Sequence, residues 1–140
     1  MTEFIFRHSN PINIDLQLKL LEKAIEQKPE SLSNLMQLAI TYFKLNKIAK
    51  GQNIINAIYN HKDVAANHYI KLANTFLQLG KKQESLFNIE AAEKLVILNK
   101  AALMLKANVL KSLHQSKRAC QICERILLDE PNNEECLFFI

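Results

Sequence analysis

The sequence matches itself at a shift of 34 residues, and that period restricts the chain to repeat architectures before any single segment is weighed. Ala39 aligns with Ala73 and Ala107, Leu45 with Leu79 and Leu113, Leu35 with Tyr69 and Leu103, and Tyr42 with Phe76 and Leu110. Gly51, Ser85 and Ala119 form a column of small residues; Ile55, Ile89 and Cys123 form a medium-sized apolar one. Within each unit apolar residues fall three and four apart, as in Leu35, Leu38, Ala39, Tyr42 and Leu45, a helix stripe and not a strand alternation. Each unit is therefore expected to be two helices joined by a tight turn. Where the two cross, small side chains let the backbones approach, pairing Ala39 with Gly51, Ala73 with Ser85 and Ala107 with Ala119. Leu79-Gly80-Lys81 reads as a helix end and turn in which Gly80 takes positive φ. Pro29 and Pro131, three periods apart, read as stops of equivalent helices, although Asp63 and Ile97 hold the places between them.

Composition agrees with helices. A chain of 140 residues with 49% hydrophobic and 23% charged residues is expected to be one globular domain, and 2 Gly and 3 Pro are too few for the turns of an all-β fold. The N-terminal stretch MTEFIFRHSN carries Glu3, a short apolar run and no small-residue cleavage site, so it is not read as a secretory signal. No apolar run is long enough to cross a bilayer, and a soluble cytoplasmic protein is expected, with the three cysteines reduced. The net charge of +4 comes from lysines interspersed with acids, and only Arg7, Arg118 and Arg125 are guanidinium groups. That pattern reads as a solvated mixed-charge surface rather than a nucleic-acid interface.

These columns resemble the tetratricopeptide repeat (TPR) family. With repeats starting at Leu32, Ala66 and Lys100, its pattern is met by Leu35, Leu38, Ala39, Tyr42, Gly51 and Ile55 in the first. It is met by Tyr69, Leu72, Ala73, Phe76, Ser85, Ile89 and Ala92 in the second, and by Leu103, Ala107, Leu110, Ala119, Cys123 and Pro131 in the third. Departures are Ile58 and Ile126 where a small residue is usual, and Lys106 where leucine is usual. The resemblance implies an all-α, right-handed α-α superhelix of about three hairpins with an extra N-terminal helix. Its parts are an N-terminal segment and helix (1–31), repeats 32–65, 66–99 and 100–133, and the start of a further helix at 134–140. Residues 15–28 place Leu21 and Ala24 in register with the second helix of a preceding unit, whose missing partner Phe4, Ile5 and Phe6 could partly replace.

Chemistry is sparse. Cys120 and Cys123 form CQIC, but Cys123 falls in the core column of Ile55 and Ile89, so packing is favoured over metal or redox chemistry. A zinc site would need further ligands, for which His114 and Cys136 are the candidates, and a thioredoxin-like motif would need a strand. His8, His61, His68 and His114 have no nucleophile or carboxylate partner at recognisable spacing, and no phosphate-binding glycine loop exists. The chain is read as a non-enzyme without cofactor or metal.

A surface remains. The resemblance implies a concave groove lined by the first helices, which here places Met36, Ile40 and Phe43, then Asn67, Ile70, Asn74 and Leu77, then Met104, Asn108 and Lys111 along it. The carboxylate clamp of some family members is absent, since Met36, Ile40, Lys71, Ala101 and Leu105 occupy its places. Asn74 and Asn108 resemble the asparagine ladders that hold peptide backbones, because an amide both donates and accepts; ordinary polar surface is the alternative. The apolar members are either side-chain pockets or core. The expected function is binding an extended or helical segment of another protein, possible roles being a secretion-type chaperone or an assembly adaptor. Alternatives are self-association through the terminal helices, a piece of a longer array, and weak nucleic-acid binding through lysines.

Overall fold

The structure is a computed structural model that describes residues 11–139, with side chains from residue 13 onward. The described residues form α-helices and no strand. They are α1 (Pro11–Gln27), α2 (Leu32–Lys44), α3 (Ile48–Tyr59), α4 (Ala66–Gln78), α5 (Lys82–Leu95), α6 (Lys100–Ser112), α7 (Ser116–Asp129) and α8 (Glu134–Phe139). First helices start at 32, 66 and 100 and second helices at 48, 82 and 116, so the 34-residue period sets both helix starts in each of the three hairpins. α1 begins four residues earlier than its apolar pattern indicates, with Pro11 in the first turn, where a missing N–H costs nothing. α1 and α7 each stop two residues before a proline, at Gln27 and Asp129.

Starts and turns recur for local chemical reasons. Three of the residues before first helices accept from the first turn: Ser31 from the N–H of Asn34, Asn99 from Ala102 at 2.9 Å, and Asn133 from Cys136 at 3.0 Å. Ala65 has no acceptor, and there the bond is reversed, its own N–H donating to His68 Nδ1 at 3.0 Å. Each hairpin turn is a Schellman motif. The N–H groups of Lys47, Lys81 and Gln115 donate to the carbonyls of Tyr42, Phe76 and Leu110, all at 2.8 Å. The residue before each donor is left-handed: Asn46 at φ 60°, Gly80 at φ 79° and His114 at φ 61°.

The chain divides between Val64 and Ala65 into two compact units. In the first, α1 packs on α2 and α2 on α3. Leu18, Leu38 and Tyr42 are buried together, with Leu21, Ile25, Leu45 and Ile54 against them. The Tyr42 hydroxyl donates to Glu22 Oε2 at 2.8 Å. Burial, and then the neighbouring carboxylate, pushes the tyrosine pKa up to about 12. Leu21 and Ala24 are half-buried, and Leu18 is the most buried of the described side chains of α1. Phe4, Ile5 and Phe6 lie outside the described residues.

In the second unit, α4 to α8 enclose one core that includes Ala73, Ile89, Ala107, Leu110, Cys123 and Cys136. Ala73 and Ser85 do approach closely, since the serine hydroxyl donates to the Ala73 carbonyl at 2.6 Å with both residues fully buried. Lys106 occupies a leucine position without stranding a charge. Its stem is covered and its ammonium pairs with Glu93 of α5 at 2.7 Å. Asn88 is likewise buried, its amide donating to the Glu84 carbonyl at 2.7 Å.

Candidate functional site

The exposed side of the first helices is built from residues three and four apart, so each helix offers a narrow stripe between its core positions. In the first unit that stripe is α2. Met36 and Phe43 are buried on it, and Ile40 is half-buried. Phe43 lies over Gly51, whose missing side chain makes room for the ring: a Cβ there would stand 3.1 Å from it. Ile40 borders a cleft of about 250 Å³ between α1 and α2, together with Asn13, Gln17 and Lys44. The apolar residues of this stripe therefore serve mainly as packing.

In the second unit α4 and α6 touch directly. Asn67 and Asn74 on α4 and Asn108 on α6 are exposed, and none of the three amides is held by another described residue. Ile70 and Leu77 are half-buried against the core beneath. Met104 is covered because α8 lies on it, the Cys136 thiol donating to the Met104 sulfur at 3.4 Å. Lys111 is exposed, with its ammonium 4.7 Å from the centre of the Phe139 ring, a cation–π contact that ties it to the end of α8. Of the residues read from the sequence, Asn67, Asn74 and Asn108 are thus the open members, flanked by Ile70, Leu77 and Lys111. Side-chain amides can take up both the N–H and the C=O of an extended backbone whatever its sequence.

The thiols belong to the packing. Cys123 is fully buried, and burial, followed by its hydrogen bond with Cys136, pushes its pKa up to about 12, away from the nucleophilic thiolate. The half-buried Cys120 donates to the Phe139 carbonyl at 3.3 Å. Among the described residues no three His, Cys, Asp or Glu side chains are grouped as a metal site requires. No described helix is long and apolar enough to cross a membrane.

Sequence reasoning missed two structural features. The first is how α8, expected as a helix beginning at 134–140, packs: its six residues, through Cys136, decide that Met104 is core. The second is the pair of left-handed residues Asn46 and His114, which share the Gly80 column.

No family model matches the sequence, and no curated protein matches it. Solved structures do. Two crystal structures of MamA align at TM-scores of 0.64 and 0.65 with 16% identity, covering 89% and 88% of this chain and 68% and 72% of theirs. A structure of YrrB, described as a TPR protein with an unusual peptide-binding site, aligns at a TM-score of 0.59 and 21% identity over 85% of this chain and 61% of that one. The chain has the all-α hairpin-repeat fold of TPR proteins.

Proposed function

We propose that the chain is a non-enzymatic interaction module whose α4–α6 face binds an extended segment of another protein. The observation that carries this reading is the set of exposed, unheld amides of Asn67, Asn74 and Asn108 on two helices in direct contact. Asn74 and Asn108 occupy the same repeat column, so their amides recur along the face with the helices themselves. Apolar side chains of the ligand would rest against the half-buried Ile70 and Leu77. The peptide-binding site of the similarly folded YrrB supports the same use of this architecture. A cytoplasmic location suits three unpaired cysteines, two of them buried among apolar residues. A chaperone or adaptor role for such a face is the finer form of the proposal.

The test is selection of peptides from a random display library on the intact protein. Binding of the selected peptides should fall at least tenfold in the double variant Asn74→Ala/Asn108→Ala while its helical circular dichroism stays unchanged. Peptides that bind wild type and double variant alike would place the ligand elsewhere.

A second reading, self-association, is favoured by one observation. Leu137 and Phe138 of α8 are exposed beside its buried Cys136. Sedimentation over a concentration series decides it, a monomer at every concentration excluding this role.

A further inference from the structure

The second unit carries a different concave feature, away from the amide face and independent of it. A trough follows the line where α5, α6 and α7 pack. Its widest part is a cavity of about 430 Å³ bounded by Glu93, Lys94, Leu95, Val96, Ile97 and Arg125, and two smaller hollows continue from the same arginine. The loop at its mouth is unusual in what it shows to water. Leu98 turns inward and is buried, which suffices to anchor the loop, yet Ile97 is 95% exposed and Leu95 and Val96 are exposed beside it. Such a contiguous apolar cluster contributes nothing to this unit's core and marks a contact surface.

Charge gives the occupant its character. Along the trough the cations are matched: Lys100 with Glu130 at 3.0 Å, Lys106 with Glu93 at 2.7 Å, and Arg118 with Glu90 at 3.3 Å. Lys94 and Arg125, which flank the cavity's apolar wall, have no carboxylate partner among the described residues, and the one acid bordering the cavity, Glu93, is taken up by Lys106. Asp129, one helical turn from Arg125, lines the second hollow together with Glu130. A guanidinium beside an apolar wall is suited to a carboxylate attached to an apolar chain, since it offers two parallel donors to the acid.

We propose that this trough docks a partner protein segment in which a carboxylate side chain is flanked by leucine-sized apolar residues, the acid on Arg125 and Lys94 and an apolar neighbour against Ile97. The occupant is held by its acid at the cavity bounded by Arg125 and Lys94. The probe is a fluorescein-labelled LDLLD peptide, with LKLLK as its charge-reversed counterpart, titrated with the full chain in anisotropy measurements. Saturable binding of LDLLD below about 1 mM, the weak end of specific association, is expected. Ile97→Asp and Arg125→Glu, both surface changes, should each weaken it at least tenfold, and Arg125→Glu should bind LKLLK better than wild type does. Absence of saturable binding, or equal LDLLD affinity in wild type and Arg125→Glu, overturns the proposal. So does a dimer, seen without added peptide, that Ile97→Asp dissociates, because the face then belongs to a second copy.

Discussion

The first and second hairpins solve the same steric problem with different chemistry. At the small-residue column the first has Gly51, and the space released is taken by the Phe43 ring, 3.1 Å from where a Cβ would be. The second has Ser85, whose hydroxyl donates to the Ala73 carbonyl across the crossing at 2.6 Å. One helix pair is thus set by an aromatic side chain filling a gap, the other by a polar contact between backbone and side chain. Their turns differ in the same way. Asn46 and Gly80 hold the same left-handed conformation, one with a polar side chain that tolerates it and one with no side chain at all. A common geometry at equivalent positions does not imply a common cause, and the identities are not interchangeable without their neighbours.

Substitutions can break that comparison or sharpen it. The largest effect is expected for Ser85→Leu, which forces a large side chain into a fully buried crossing and removes the bond to Ala73, costing about 3 kcal/mol in urea denaturation. A loss under about 1 kcal/mol would mean that the second hairpin opens as readily as one held by a replaceable ring. Next, Gly80→Ala should cost about 1–2 kcal/mol. A Cβ there meets nothing within 4 Å, so the whole effect is backbone strain at φ 79°. Asn46→Gly, its counterpart, should be no worse than neutral; a clear loss would show that the asparagine side chain itself holds the first turn. The smallest effect, and the most discriminating, is at Gly51. Alanine gains about 1 kcal/mol of helix propensity, but Phe43 must give way by a few tenths of an ångström, so the net change should be a slight loss. In a Phe43→Leu background the same substitution should become stabilising. The same sign in both backgrounds would remove the ring from the account of this crossing.

Most of the architecture was legible because the period left little freedom. The columns Ala39, Ala73 and Ala107 and Gly51, Ser85 and Ala119 located both helices of every hairpin, and the helix starts follow at the same spacing. The candidate face was less legible. Asn74 and Asn108 are exposed, but whether Met36, Phe43 and Met104 face a ligand or the interior depends on neighbours that no periodicity encodes. Met104 is removed from solvent by α8, and Phe43 by the absence of a side chain at Gly51. His114 in a left-handed turn was hidden because a histidine signals such a turn far more weakly than a glycine does. Only its alignment with Gly80 betrays it.

The short α8 has a practical consequence for anyone cutting the molecule into modules. The last sequence period closes at residue 133, whereas the interior it belongs to closes with Cys136 and Phe139, through the sulfur contact to Met104 and the thiol bond from Cys120. A graft or truncation drawn at the numerical boundary would strip a lid from greasy side chains and invite clumping. The transferable brick is out of phase with the written one, and its seam falls inside the next helix.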